Sequence, residues 1–310
     1  MKVDVVVVTY NRKVLLIECL QSLLRQTYPV NRIILIDNAS TDGTMEILKE
    51  KGFLDLDIMD YHLMESNLGG SGGFYEGLKI ASNMQSDWVW IMDDDSIPDN
   101  DCLEQLIIKA NNNISFLASC VYGINNEPMN IPEIDFTPSD NGYPFWYERL
   151  DESMITIKTA TFVSILVNMN AIKKCGLPCK DYFIWGDDVE YTQRLVKYYG
   201  KAYFVGKSRV CHKRVNAARL DIKSEKDPKR IRNYYYYYRN NLINTMLYNS
   251  KKDVCIVMLN NILKSIILLF SSPKGGTRAK AVMTGMLSAV ITRKKFVDYV
   301  NGEIKSSLEK

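Results

Sequence analysis

The chain holds 310 residues, 46% of them hydrophobic and 24% charged, with a formal net charge of +3. The hydrophobic share supports a substantial core, in one large domain or a domain with an appendage, and the charge content is ordinary for a soluble protein. Seven cysteines, odd in number and without CxxC spacing, argue against a disulfide framework or a zinc knuckle and fit a reducing cytosol.

The opening "MKVDVVVVTYN" has an apolar run too short for a signal peptide and no small-residue cleavage site, so it reads as a first strand over residues 3–8. Its β-branched content fits a strand buried on both faces. Thr9-Tyr10-Asn11-Arg12 is a polar exit loop, and Leu15, Ile17, Leu20, Leu23 and Leu24 then repeat at helical spacing. Residues 32–36, "RIILI", are a second strand ending in "DNASTDGT", with Thr41 or Asp42 placed to cap the helix "TMEILKEKG". A third strand near residues 56–61 has His62 at its edge, read as structural, and precedes "SNLGGSGGFYEGLKIA", a glycine-rich loop entering a helix. Residues 88–92 are a fourth strand, running into Asp93, Asp94 and Asp95. This alternation predicts a mostly parallel α/β sheet flanked by helices, with ligands beyond the carboxyl ends of the strands. The polar loops after the first, second and fourth strands fall on that edge.

Residues 111–155 show little periodicity and read as a loop-rich segment lining a cleft. "TATFVSILVNMNAIKKCG" is a strand and a helix start, "FIWGDDVEYTQRLVKYYG" an aromatic turn entering a helix, and "AYFVGKSRVCHK" another strand. From Asp227, "DPKRIRNYYYYYRNNLINTMLY" has the pattern of a long amphipathic helix whose five tyrosines spread around the circumference, some to the core and others to an interface. "VCIVMLNNILKSIILLF" and "AKAVMTGMLSAVI" are further helices. The former is interrupted by Asn260, Asn261 and Lys264, too short and polar to cross a membrane. Interfacial membrane attachment, helical packing and a dimer face all remain open for it. Lys and Arg gather in residues 201–239 and 271–310, which suggests an anionic partner or surface. Nucleic acid is disfavoured, because the basic stretch has no recognition motif and the acidic rim repels phosphates unless a metal intervenes.

Three carboxylates at one strand end raise one another's pKa unless a cation is close. Aspartates at alternate positions there direct oxygens at one hard cation such as Mg²⁺ or Mn²⁺, although a solvated turn capping the next helix is the plainer reading. Asp187, Asp188 and Glu190 form a second acidic cluster beside Trp185. There an aspartate suits a general base toward a hydroxyl, and helix N-capping explains the same charge. His212 ends a strand among basic residues and is either a third ligand or an ordinary histidine. Asn67 to Phe74 carries four glycines at a helix opening, letting backbone amides approach phosphate or sugar oxygens, but it matches neither GxGxxG after the first strand nor a P-loop.

Taken in order, "VVVVTYNR", "ILIDNASTDGT", "NLGGSGGFYEGL", "WIMDDDSIPD", "FIWGDDVEY" and "CHKR" resemble a family 2 glycosyltransferase of the GT-A type. The doubled Gly-Gly, the Asp triplet and Trp-Gly-Asp-Asp look most like bacterial galactofuranosyltransferases. Rhamnosyltransferases of surface polysaccharides share much of the layout. The resemblance implies a GT-A transferase domain over residues 1–220 and a C-terminal helical region over 221–310 for acceptor, membrane or oligomer contacts. It implies that Thr9, Tyr10, Asn11 and Arg12 line the nucleotide site and that Asp37 meets the uracil edge. Asp93 and Asp95 would hold Mn²⁺ or Mg²⁺ against the diphosphate, completed by His212, with Asp94 nearer the sugar. Asp188 matches the base position, Asp187 and Trp185 would shape the acceptor site, and Asn67, Gly69 and Gly70 would face the donor sugar.

The activity so implied is inverting, metal-dependent transfer of a sugar, galactofuranose from UDP-galactofuranose, onto a hydroxyl of a glycan or lipid-linked glycan acceptor. It would take place in the cytoplasm or on the inner face of the cytoplasmic membrane, by a monomer or a homo-oligomer. Transfer from dTDP-rhamnose is the alternative, and a non-catalytic nucleotide or carbohydrate binder is a third reading that Asp188 argues against.

Overall fold

The computed structural model describes residues 1–214, 220–271 and 273–308. Strands β1 (Val3–Thr9), β2 (Arg32–Asp37), β3 (Met59–Leu63) and β4 (Trp88–Asp93) pair in parallel in the order β3-β2-β1-β4, joined through α1 (Lys13–Leu24), α2 (Thr44–Glu50) and α3 (Gly69–Ser82). The strand order reverses across β1, so the crevice beyond the ends of β1 and β4 is the switch point at which such sheets bind ligands. Beyond β4 the same sheet turns mixed. It continues through β9 (Ile165–Asn168), β6 (Phe116–Tyr122), β10 (Ala202–His212), β8 (Met154–Thr159) and β7 (Glu133–Ile134), with the short β5 (Ser96–Pro98) paired to β10.

Both sheet faces are covered, which is why β1 is buried along its whole length. Val3, Val5 and Val7 face α1 and α4 (Cys102–Ile107), while Val6 and Val8 face α3, α5 (Met169–Cys175) and α6 (Asp187–Tyr198). Helix α3 comes unusually close: a Cβ on Gly73 would lie 2.4 Å from Val8 Cγ1, and one on Gly77 2.3 Å from Val6 Cγ1. The last three helices, α7 (Pro228–Tyr248), α8 (Lys251–Ser271) and α9 (Gly275–Leu308), pack on one another and on the segment preceding α6.

Several expectations change. The glycine-rich segment is already helical from Gly69 rather than a loop, with most of its glycines serving close packing. The buried face of α1 comprises Leu16, Ile17, Cys19, Leu20 and Leu23, and Leu24 is exposed. Neither Thr41 nor Asp42 caps α2, because Gly43, at φ 86°, is the N-cap residue. Asp42 instead accepts from the Lys13 N–H at 3.2 Å and from Thr44 Oγ1 at 2.6 Å, tying the β1 and β2 loops together. The third strand lies later than expected, and residues 111–155 contain β6, a central strand whose apolar run has no polar alternation to mark it. Helix α8 extends beyond its apolar run, so Lys251–Phe270 is by length and composition enough to cross a membrane. His62, on the outermost parallel strand, sits 2.9 Å from Asp60 Oδ1. Tyr234 and Tyr238 are buried, one turn apart, while the three tyrosines between them are half-buried.

Candidate active site

Strand β4 places Asp93 opposite Val8 of β1, and the next two residues turn beneath the β1 loop. Thr9 Oγ1 donates to Asp94 Oδ2 at 2.7 Å and the Tyr10 N–H to the same oxygen at 3.4 Å. Arg12 Nη1 donates to Asp94 Oδ1 at 3.2 Å and also to Asp95 Oδ2. From the far side of the sheet β10 brings in His212, whose Nε2 is 3.1 Å from Asp95 Oδ1. That contact lacks hydrogen-bond alignment, leaving Asp95 Oδ1 buried without a hydrogen-bond partner. His212 Nδ1 lies 2.9 Å from Asn130 Oδ1. Ligand atoms of Asp93, Asp95 and His212 all fall within 4.8 Å of one another. Two hard carboxylates, one of them with an orphaned oxygen, and an imidazole fit Mg²⁺ or Mn²⁺.

The neighbouring loops are knitted together. Asn11, at φ 54°, accepts the Thr41 N–H at 2.7 Å through Oδ1 and donates its own N–H to Ser40 Oγ at 2.9 Å. Asp37, buried at the end of β2, accepts from Ser40 N at 2.8 Å and from the Tyr61 hydroxyl at 2.9 Å. Both its oxygens are engaged in holding these loops, while Tyr10 projects into solvent.

The second cluster stands on a contorted turn. Ile184 N–H donates to Tyr182 O at 2.8 Å around Phe183, whose φ of 66° and ψ of −60° make a strained γ-turn. Trp185 and Gly186 follow at φ 61° and 92°. Helix α3 accommodates the turn: a Cβ on Gly69 would lie 2.0 Å from Phe183 O, which instead accepts the Ser71 N–H at 3.3 Å. Asn67 Oδ1 accepts the Gly69 N–H at 2.7 Å, and Gly70 has open space where its side chain would be. Helix α7 clamps the other side. Asn240 Nδ2 donates to the carbonyls of Tyr182, Ile184 and Trp185 at 3.0, 3.0 and 2.7 Å, Asn244 Nδ2 to Gly186 O at 2.8 Å, and Arg239 Nη2 to Asp181 O and Tyr182 O at 2.7 and 3.0 Å. Trp185 packs on Tyr234 at 5.2 Å between ring centroids, with the Arg230 guanidinium over its ring. The turn thus opens α6 with Asp187 buried and Asp188 partly open. Glu190 is set apart: it pairs with Arg194 at 2.9 Å inside the core and accepts from the Tyr248 hydroxyl at 2.7 Å.

Residues 4–176 match the model of glycosyl transferase family 2. The chain belongs to this family. It is 26% identical over 204 residues to galactofuranosyltransferase GlfT1 of Mycolicibacterium smegmatis, across 62% of this chain and 64% of that protein. The match therefore spans under two thirds of that relative's length. Its fold is similar to that of S. aureus TarS 1-349 in complex with UDP, with a TM-score of 0.56 at 17% identity over 99% of this chain and 89% of the other. It is also similar to GalNAc-T7 with UDP, GalNAc and Mn²⁺, with a TM-score of 0.61 at 13% identity over 98% and 58% of the two chains.

The electrostatics of this family 2 glycosyltransferase divide its carboxylates. Burial, then Asp95 and Asp94, push Asp93 well up, and Asp188 adds to the rise, so the two acidic clusters share one field. Burial raises Asp94 to about 6 in spite of Arg12. In Asp95 burial is outweighed by His212 and Arg12, and its pKa is lowered. Burial and the adjacent Asp187 bring Asp188 up to about 7. Its Oδ1 accepts the Val189 N–H at 2.8 Å, and no hydrogen bond engages Oδ2 among the described residues. A carboxylate poised near neutrality with one open oxygen suits proton abstraction. Sequence reasoning missed Asn130, which nothing marks, and Arg214, which lies in the field of Asp95, Arg12 and Arg230 and whose pKa is lowered first by burial and then by Arg230. It also missed Arg239, Asn240 and Asn244, whose signal is polar residues interleaved with Leu242 and Ile243 on one buried helix face.

Proposed function

We propose that this transferase moves galactofuranose from UDP-galactofuranose onto a hydroxyl of a lipid-linked glycan acceptor, with inversion and with a divalent ion, on the cytoplasmic side. The observation that carries the reading is the pairing of a buried, orphaned Asp95 oxygen and His212 with an Asp188 carboxyl raised to about 7. Asp93, Asp95 and His212 would hold a divalent ion, which would supply Lewis-acid stabilisation to the leaving diphosphate.

The chain's own groups do the rest. Arg12, and Arg214 nearby, add fixed positive charge beside the acidic cluster, where charge builds on the leaving group. Asp188 Oδ2 takes the acceptor proton as its hydroxyl attacks the anomeric carbon. The supply of carboxylates supports inversion. Asp94 has both oxygens tied to Thr9, Tyr10 and Arg12, and Asp187 is buried, so neither is free to form a glycosyl-enzyme bond. The galactofuranose assignment draws on the likeness to GlfT1.

A thermal-shift panel of UDP- and dTDP-sugars with and without Mn²⁺ tests the reading, because ligands that bind only the folded form raise Tm. UDP-galactofuranose with Mn²⁺ is expected to give the largest shift. A larger shift with dTDP-rhamnose moves the assignment to rhamnosyl transfer, and no shift with any nucleotide and ion refutes it.

A further inference from the structure

Helix α8 is apolar on two faces, and only one of them is covered. Asn261, Ser265 and Leu268 are buried on its inner side, where Ser265 Oγ donates to Ala279 O of α9 at 3.4 Å. On its outer side Leu259, Leu263, Ile266 and Phe270 are 57, 50, 49 and 87% exposed. Their spacing of four, three and four residues makes one stripe along the helix. Helix α9 folds back beside it and exposes Leu287 and Ile291. Scattered exposed leucines are ordinary, whereas a continuous apolar stripe with neighbours on an adjacent helix marks an interaction surface.

Charge identifies the occupant. Residues 251–295 carry nine Lys and Arg against one Asp. Lys252 lies seven residues before Leu259 on the α8 stripe, and Lys280 and Lys294 lie seven residues before and after Leu287; all three are exposed. A second copy of this chain would bring the same cations face to face, a like-charge contact that interfaces avoid. An anionic bilayer complements the apolar stripe and the cations together. Lys251–Phe270 is long and apolar enough to cross a membrane, but its inner face is committed to α9 and α7. The orientation that keeps this packing is along the surface. Leu268, on the inner side, shares its cluster with Tyr234 and Tyr238, against which Trp185 packs, so the C-terminal end of α8 lies next to the turn that carries Asp188.

We infer that the outer face of α8 and α9 docks on an anionic phospholipid bilayer, with α8 lying in the interfacial plane and the Asp188 turn held at headgroup level, where a lipid-anchored acceptor presents its hydroxyl. The acceptor in this statement rests on the proposed transferase reading, whereas the docking does not.

The test is co-sedimentation of the full chain with phosphatidylcholine vesicles with and without phosphatidylglycerol, at low and moderate salt, alongside a UDP–Mn²⁺ thermal shift. The wild type is expected to bind the anionic vesicles and to release with salt. Leu263→Glu with Ile266→Glu should weaken binding by about 100-fold or more, from two apolar contacts at about tenfold each. Lys280→Glu with Lys294→Glu should cost about 25-fold or more on anionic vesicles, at about fivefold per lysine removed. Both double variants keep the UDP–Mn²⁺ shift, since these exposed residues touch nothing in the site. Two results would overturn the docking: no binding by the wild type at low salt, or a dimer in solution that the Leu263→Glu, Ile266→Glu pair dissociates without altering vesicle binding. Vesicle binding without any UDP–Mn²⁺ shift leaves the docking intact and overturns the transferase reading instead.

Discussion

Asn240→Ala separates the clamp on the Asp188 turn from the chemistry proposed for that turn. Asn240 is wholly buried; its Nδ2 serves the carbonyls of Tyr182, Ile184 and Trp185, and its Oδ1 accepts from Arg239 Nε at 2.8 Å. Removing the amide loses hydrogen bonds at about 1 kcal/mol each and takes the side-chain donor from the part-buried Ile184 and Trp185 carbonyls, while Tyr182 O keeps Arg239 and Ile184 N–H, on the order of 3 kcal/mol together. For a chain of this size that lowers Tm by roughly 5–10 °C. The turn is also strained, with Phe183 and Trp185 at positive φ, a geometry that persists only while its surroundings enforce it. Once released, the turn relaxes and carries Asp188 with it. A misplacement near 1 Å costs about 100-fold in turnover. The assay is kcat and KM well below the lowered Tm, with UDP–Mn²⁺ affinity measured in parallel. The expected result is a large loss in kcat with nucleotide affinity intact. A lowered Tm with kcat unchanged would refute the clamp as a positioning device, and an unchanged Tm would refute the hydrogen-bond reasoning itself.

Asp188→Asn should lose about 10²–10⁴-fold in kcat while still binding UDP, and wild-type turnover would remove Asp188 as the base. Without metal, stability should fall as pH rises from 5 to 8. Asp94 and Asp188 have folded pKa values raised to about 6 and about 7, so their contribution is full below the ordinary value of 3.8 and is lost as pH climbs through the folded values. The Asp94 shift is worth about 3 kcal/mol in all, about half of it lost between pH 5 and 8 and the rest below pH 5, and Asp95, whose pKa is lowered, changes nothing there. Mn²⁺ should restore the loss increasingly toward pH 8, because it binds ionised ligands; a metal-free Tm that is flat across this range contradicts the account. Gly73→Ala puts a methyl 2.4 Å from Val8 Cγ1 and should cost about 1–3 kcal/mol in a denaturant melt, whereas a stabilised variant would show that α3 can retreat from the sheet.

The parallel half of the sheet was legible because a strand buried on both faces leaves an unbroken β-branched run, as in residues 3–8, and because turn chemistry punctuates each exit. The acidic triplet announced itself as charge following an apolar strand. β6 did not, since its small and apolar residues carry neither alternation nor helical period, and its place between β9 and β10 depends on residues far away in the chain. The glycines of α3 were visible, but their reason was not: Gly69 yields to the Phe183 carbonyl and Gly73 to Val8, contacts that exist only after folding. The α7 clamp is of the same kind, because Asn240 acts on carbonyls of a turn more than fifty residues upstream. The structure brings His212 together with Asp93 and Asp95, and it keeps Glu190 away from Asp188 by spending it on Arg194.

The proposed chemistry requires Asp93, Asp95 and His212 jointly to hold a divalent ion beside a nucleotide diphosphate. Titration of Mn²⁺ by the loss of its free electron paramagnetic resonance signal, with and without UDP, measures this directly in the wild type, Asp95→Asn and His212→Ala. The prediction is one UDP-strengthened Mn²⁺ per wild-type chain, with affinity reduced at least about tenfold in either variant. Equal Mn²⁺ binding by all three proteins would contradict it.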